Sequence, residues 1–162
     1  MENELKVVDI FIGTTLRGSA KGSGRAMYIM RTKRKNGSDY EAAPQIAEYD
    51  DTTESESVLR AIRDALQRLH YACTVVIHTE CSNVAAAITQ HWPEKWQHDG
   101  WKNAKGNPVK NAVLWEMLLQ DVEEGGHILL AEGEKHEYAE WMRFNMPLKR
   151  TLKDIFTEVP KI

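Results

Sequence analysis

The chain has 162 residues, of which 42% are hydrophobic and 28% charged, a balance typical of one globular domain with a sizeable core. Its formal net charge of −3 argues against strong non-specific affinity for nucleic acid, although local basic patches can still bind it. No apolar run approaches the roughly 20 residues of a membrane span, and the start Met1–Glu4 is too acidic for a signal peptide. The two cysteines, Cys73 and Cys81, lack the spacing of metal ligands. We therefore expect a monomeric, cytoplasmic protein with free thiols and no membrane contact.

The first half of the chain predicts three antiparallel strands and a helix. Apolar runs predict strands over Lys6–Ile12, Arg25–Arg34 and Asp39–Asp50, the last two joined by a tight hairpin at Asn36-Gly37. Thr53-Glu54-Ser55-Glu56 then fits a capping box. The apolar residues that follow recur at helical spacing: Val58, Leu59, Ile62, Ala65, Leu66 and Leu69.

The second half alternates helices and strands. The predicted elements are a buried strand over Cys73–Thr79, helices over Ser82–Gln90 and Asn111–Val122, a strand over His127–Ala131 and a helix over Lys135–Asn145. The helix over Asn111–Val122 is expected to direct four residues inward: Val113, Leu114, Met117 and Leu118. Three antiparallel strands followed by this alternation predict an α/β fold, a mixed sheet with right-handed crossovers.

Residues 88–115 carry three tryptophans interleaved with lysines. These are Trp92, Trp96 and Trp101, with Lys95, Lys102, Lys105 and Lys110 between and after them. Aromatic rings mixed with cations are typical of a surface that follows a nucleic-acid backbone. The alternative is a small core of tryptophans that holds an irregular extension together.

The order of residues in this segment resembles that of a known family. An I-T-Q run, a W-x3-W-x4-W-K series and a P-V-K-N-x2-L-W run follow one another, as in the helix and basic protrusion, or handle, of bacterial type-1 ribonuclease H. The resemblance extends over about residues 6–146. Val8–Phe11 is similar to the family's first strand, Thr52-Thr53 to the start of its first helix, and Thr74–Thr79 to its fourth strand. It implies a ribonuclease H-like fold, a five-stranded mixed sheet flanked by helices. It also implies hydrolysis of the RNA strand of RNA–DNA hybrids by two Mg²⁺ held by four carboxylates.

The four carboxylate positions of the family are only half retained. Gly13 and Val58 stand at the first two, whereas Glu80 and Glu140 stand at the last two, each longer than aspartate by one methylene. Two-metal hydrolysis needs several converging oxygen ligands, so we expect no resident cofactor and at most weak Mg²⁺ binding by Glu80 and Glu140. Asp9 lies roughly 13 Å back along its strand from Gly13. Glu54, about 6 Å along the helix from Val58, is poorly placed to reach the site.

The implied binding residues are better retained. Thr53 and Asn111 match positions that contact a DNA-strand phosphate in the family, although each also suits a helix cap. The glycine-rich loop over residues 17–25 matches the turn that follows the hybrid backbone, and it carries Arg17 and Lys21. In the handle, the nucleic-acid-binding candidates are Trp92, Trp96, Trp101, Lys102 and Lys105. Gln97–Gly100 replaces a basic run there, which predicts weak, strongly salt-dependent binding.

Three functions remain open from the sequence. The chain is interpreted as a non-catalytic module that binds RNA–DNA hybrid or duplex nucleic acid. The alternatives are an endoribonuclease with a remodelled metal site at Glu80 and Glu140, and a protein-interaction scaffold. Residues 1–146 form the predicted domain. In the tail over residues 147–162, the stripe Leu148, Leu152, Ile155 and Phe156 predicts a short helix that packs on the domain or docks a protein partner.

Overall fold

The computed structural model describes residues 4–146, so the predicted tail lies outside the described residues. The strands are β1 (Lys6–Thr14), β2 (Gly22–Lys33), β3 (Asp39–Glu41), β4 (Gln45–Thr52), β5 (Cys73–Thr79) and β6 (Ile128–Gly133). The helices are α1 (Glu54–Leu66), α2 (Ser82–Thr89), α3 (Trp92–His98), α4 (Ala112–Gly125) and α5 (Ala139–Asn145). Within residues 4–146, no helix is both long and apolar enough to cross a membrane.

The strands form one mixed sheet in the order β3-β2-β1-β5-β6, with β4 also paired to β2. β1 runs antiparallel to β2, with Phe11 opposite Ile29, and parallel to β5, with Ile10 beside Ile77. β5 and β6 are also parallel. The predicted mixed α/β sheet is therefore confirmed, and the carboxyl ends of β1 and β5 lie side by side.

The sheet has six strands where five were predicted. The stretch Asp39–Asp50, expected as one strand, is interrupted after Glu41, and β3 and β4 both pair antiparallel with β2. Pro44 lies in the interruption, immediately before β4. Because proline has no backbone N–H, it cannot donate to the ladder at that point, and the edge strand is divided.

The main core lies between one face of the sheet and helices α1, α2 and α4. Val58, Leu59 and Ile62 of α1 are fully buried there, each stabilising the fold by about 1.5–3 kcal/mol relative to an exposed side chain. In α4 the inward positions are Trp115 and Leu118. The expectation that Val113 and Met117 point inward is wrong: their side chains are 71% and 38% exposed, because the helix turns Trp115 and Leu118 towards the core.

Part of the opposite face of the sheet is covered by α5. Its cluster joins Phe11, Met27 and Ile29 of the sheet to three residues at or beside the helix: Tyr138, Met142 and Met146. The helix begins at Ala139, four residues later than predicted. The cause is His136, whose Nε2–H donates to the carbonyl of Ile12 at 2.8 Å while its Nδ1 accepts from the Tyr138 N–H at 3.2 Å. These bonds hold the preceding residues in a turn.

The buried His136 makes stability depend on pH. Burial lowers the pKa of this imidazole below its usual value of 6.5, and protonation would remove the acceptor that Nδ1 offers Tyr138. The unfolded chain then binds more protons than the native one between the two pKa values, so stability is fully present above pH 6.5 and falls as the pH drops below it. We expect the melting temperature to decline on acidification through this window, and to decline less in His136→Gln. The exposed His98→Gln serves as control; an equal decline in His136→Gln and the parent would contradict this assignment.

Candidate functional site

A cavity of about 400 Å³ lies at the adjoining carboxyl ends of β1 and β5, beneath α5. Gly13 lines it from β1, Glu80 from the residue after β5, and Met142 and Arg143 from α5. The ends of parallel strands meet at one edge of the sheet, which is why residues distant in sequence converge here. Thr14 and Ser57, joined by a 2.8 Å hydrogen bond between their hydroxyls, fix the start of α1 beside this edge.

The space in front of Gly13 is occupied by methionine side chains. A Cβ atom added at Gly13 would lie 2.8 Å from Met142 Sδ, 2.9 Å from Met146 Cε and 3.2 Å from Met142 Cβ. Real Cβ atoms do not approach heavy atoms to 2.8 Å, so any side chain here requires α5 or its methionines to move. Val58, at the second expected carboxylate position, is fully buried in the main core and does not line the cavity.

The acidic side chains near the cavity are engaged by cations or by backbone. Glu80 accepts two hydrogen bonds from Arg143 Nη2, at 3.0 and 3.2 Å. Glu140 lies outside the cavity lining and binds Lys135 at 2.5 Å, a hydrogen bond that lowers the pKa of its carboxyl. The expectation that Glu54 is poorly placed to reach the site is wrong: it lines the cavity, where its Oε1 accepts from the N–H of Gly18 at 2.9 Å. Of the four expected positions, only those of Gly13 and Glu80 line this cavity.

A groove of about 890 Å³ adjoins the cavity and shares Glu54 with it. It runs from the glycine-rich loop past the start of α1 to the handle, which comprises α3 and the loop up to Lys110. Five of the expected binding residues line it: Lys21, Thr53, Trp92, Trp96 and Asn111. Arg17 lines the neighbouring cavity, whereas Trp101, Lys102 and Lys105 line neither space. Lys110 also lines the groove, a residue missed as a candidate although it precedes Asn111 in the same motif.

Thr53 and Asn111 keep hydrogen-bond donors available to a ligand. Thr53 caps α1, its hydroxyl oxygen accepting from the Glu56 N–H at 3.1 Å, and the hydroxyl proton is still free to be donated. The other half of the expected capping box is replaced, because Glu56 accepts instead from the Thr52 hydroxyl at 2.6 Å. Asn111 precedes α4 with φ of 60° and makes no side-chain capping bond. Its amide can therefore donate into the groove.

The tryptophans have two different roles. Trp96 packs edge-on against the buried Trp115, with ring centroids 6.0 Å apart, and the indole N–H of Trp101 donates to Glu116 at 3.0 Å. Both therefore attach the handle to α4, as the small-core alternative requires. Trp92 is 41% exposed and stands 6.2 Å from the Trp96 ring, so it offers the groove an accessible aromatic face.

The lysines at the tip of the handle are exposed. Lys102 pairs with Pro108 in an isolated bridge, and the side-chain oxygen of Asn103 accepts from the N–H groups of Lys105 and Asn107, each at 3.0 Å. This hairpin projects its ammonium groups into solvent beside the groove rather than into it. They can add long-range attraction for a polyanion.

Comparison with known proteins agrees with this architecture. The ribonuclease H family model matches residues 10–131. A ribonuclease H of Oleidesulfovibrio alaskensis is 32% identical over 117 residues, which cover 71% of this chain and 70% of that protein. Among solved structures, LC9-RNase H1, a type 1 RNase H with the type 2 active-site motif, superposes with a TM-score of 0.70 at 18% identity, covering 90% and 72% of the two chains. The foamy viral protease-reverse transcriptase in complex with RNA/DNA hybrid gives a TM-score of 0.63 at 14% identity, over 95% of this chain and 20% of that one. The chain belongs to the ribonuclease H family.

Proposed function

We propose that this domain binds RNA–DNA hybrid through the groove without cleaving it. The observation that carries the proposal is the contrast between the two adjoining spaces. The groove is open and lined by donors and cations suited to phosphates, whereas Met142 and Met146 fill the space in front of Gly13. Side chains that position a backbone are therefore retained beside a position that has lost the metal-bridging carboxylate and against which two methionines pack.

The residues around the cavity do not fit a pair of Mg²⁺ ions. Two such ions about 4 Å apart need several negative oxygen ligands on both sides. Within residues 4–146, two carboxylates line this cavity: Glu80, which Arg143 binds, and Glu54, whose Oε1 accepts from the Gly18 N–H. Arg143 therefore competes with a metal ion for the Glu80 carboxylate. The proposed function therefore includes no metal-dependent step.

The groove supplies the kind of contacts that recognise a nucleic-acid backbone by shape. Thr53 and Asn111 offer neutral donors for phosphate oxygens, and Lys21 and Lys110 add positive charge to the same groove. Lys21 is paired with Asp51 at 3.9 Å, but both groups are exposed and a phosphate competes readily for the ammonium. Glu54 and Glu56 also line the groove. Their carboxylates repel phosphates, so they limit the affinity and favour positions of the nucleic-acid backbone that avoid them.

The second candidate is cleavage of the RNA strand, which family membership favours. It would require Arg143 to release Glu80, and Glu140 to leave Lys135 and turn towards the cavity. The third, a protein-interaction scaffold, predicts no affinity for nucleic acid at all. Binding and cleavage measured on one hybrid distinguish all three functions.

Binding is expected to depend on the groove cations and on Trp92. We expect micromolar affinity for RNA–DNA hybrid at low salt, weaker affinity for duplex DNA, and a salt dependence whose slope falls by about one unit for each of Lys21→Ala and Lys110→Ala. Trp92→Ala is expected to weaken binding without lowering the melting temperature, whereas Trp101→Ala lowers it because the bond to Glu116 is lost. Fluorescence anisotropy on a labelled hybrid measures the affinities.

Lys35→Ala is the matched control, an exposed lysine in the hairpin between β2 and β3. Its salt slope is expected to equal that of the parent protein. Undetectable hybrid binding at low salt would contradict the proposed function and would favour the third candidate, a protein-interaction scaffold. An equal loss of affinity in Lys35→Ala would show that the groove is not the binding surface.

The filled space at Gly13 is expected to penalise any side chain there. Gly13→Ala should lower the free energy of unfolding by about 1–3 kcal/mol, because the new methyl group overpacks against Met142 and Met146. Gly22→Ala is the matched control, since its Cβ would meet nothing closer than 3.6 Å. Part of the loss should be recovered in Gly13→Ala combined with Met142→Ala, relative to Met142→Ala alone. Chemical denaturation measures all five proteins; a Gly13→Ala variant as stable as Gly22→Ala would contradict the filled space.

A further inference from the structure

A separate cluster of potential metal ligands lies on the sheet face opposite the main core. His78 of β5, Glu132 of β6 and Glu134, just after β6, each place one ligand atom within 4.8 Å of the others. His78 and Glu132 are direct cross-strand partners in the parallel pairing of β5 and β6. Glu134 is fixed by its backbone N–H, which donates to the carbonyl of Thr79 at 3.0 Å. The sheet therefore sets the relative positions of all three residues.

His78 is held in the orientation that a metal ligand needs. Its Nε2 lies 2.8 Å from Asp9 Oδ1, and its ring stacks on Phe11 with centroids 4.4 Å apart and planes 14° from parallel. The side chain is only 12% exposed. With Nε2 directed at Asp9, Nδ1 is the ring nitrogen that a metal ion would use. This carboxylate–histidine arrangement is the usual support of metal-binding histidines, and Asp9 lies outside the cluster itself.

The two glutamates of the cluster carry negative charge that no nearby cation neutralises. Among residues 4–146, neither Glu132 nor Glu134 takes part in an ion pair. Lys135 follows Glu134 directly but binds Glu140, and Arg31, which lies over Phe11, binds Glu137. A bound cation would supply the counter-charge that these two carboxylates lack.

We propose that His78, Glu132 and Glu134 form a binding site for a divalent first-row transition-metal ion of the Zn²⁺ type. One imidazole nitrogen and two carboxylate oxygens suit such an ion, whereas Mg²⁺ prefers oxygen ligands alone. Three protein ligands leave a coordination position for water. Both glutamates are exposed, so their side chains can rotate inward to reach metal–ligand distances of about 2.0–2.2 Å. The ion would tie the ends of β5 and β6 to the segment that leads into α5.

The test is titration of the metal-free protein with Zn²⁺, followed by isothermal calorimetry, with the melting temperature as a second readout. We expect one equivalent to bind and the melting temperature to rise with Zn²⁺ concentration. Glu132→Gln combined with Glu134→Gln should weaken Zn²⁺ binding by about 100-fold or more, and Asp9→Asn by about 10–100-fold. Mg²⁺ at the same concentration should neither bind nor compete.

Glu123→Gln is the matched control, an exposed glutamate on α4 that is not part of the cluster. It should bind Zn²⁺ as the parent does. Because Glu132 and Glu134 are exposed, their double variant should fold normally, and circular dichroism checks this. Absence of saturable Zn²⁺ binding would overturn the site. So would parent-like affinity in the double variant, which would assign the ion to surface groups such as His91 or His98.

Discussion

Helix α5 lies on the end of β1 through a contact that depends on the missing side chain of Gly13. Met142 and Met146 occupy the space that a Cβ atom would need. The same approach of helix to strand brings Arg143 to Glu80 and lets His136 donate to the carbonyl of Ile12. One glycine thus sets the position of the helix, the content of the cavity and the burial of a histidine.

The groove is built from different parts of the molecule and does not depend on that contact. Thr53 is positioned by α1, whose apolar side chains lie in the main core, and Asn111 by α4, which Arg63 and Asp121 join to α1 at 2.7 Å. Trp96 and Trp115 join the handle to the same core. The cavity beside Gly13 is instead closed by α5, which packs on the smaller cluster that contains Phe11. Because the two sides of the sheet are packed separately, one surface can keep its shape while the other is rebuilt.

Much of this architecture was predictable from local patterns in the sequence. Periodicity and capping placed α1 and β5 correctly, since their signals lie within a few residues of each other. The alternation of side chains does not show the division of β3 from β4, because that division depends on the backbone N–H that Pro44 lacks. The late start of α5 was missed for another reason. It depends on a bond between His136 and Ile12, 124 positions apart in the chain.

The candidate site was also predictable only in part, because several of its features depend on contacts between residues far apart in the chain. Substitutions at Gly13 and Val58 are visible in the sequence, and so is the match of Thr53 and Asn111 to phosphate-contacting positions. The methionines that pack against Gly13 lie in α5 or directly after it, more than a hundred residues away, and only packing brings them there. The pairing of Arg143 with Glu80 and the cluster around His78 arise from sheet and helix placement, which no local spacing encodes.

The central claim is that hybrid binding has been separated from hybrid cleavage in this domain. It is tested most directly by incubating the protein with a hybrid labelled on its RNA strand, at a protein concentration that saturates binding, in Mg²⁺ or Mn²⁺. The account predicts that the RNA strand stays intact while the hybrid is bound. RNA fragments that require the metal ion, disappear in Glu80→Gln and persist in Glu123→Gln would contradict it.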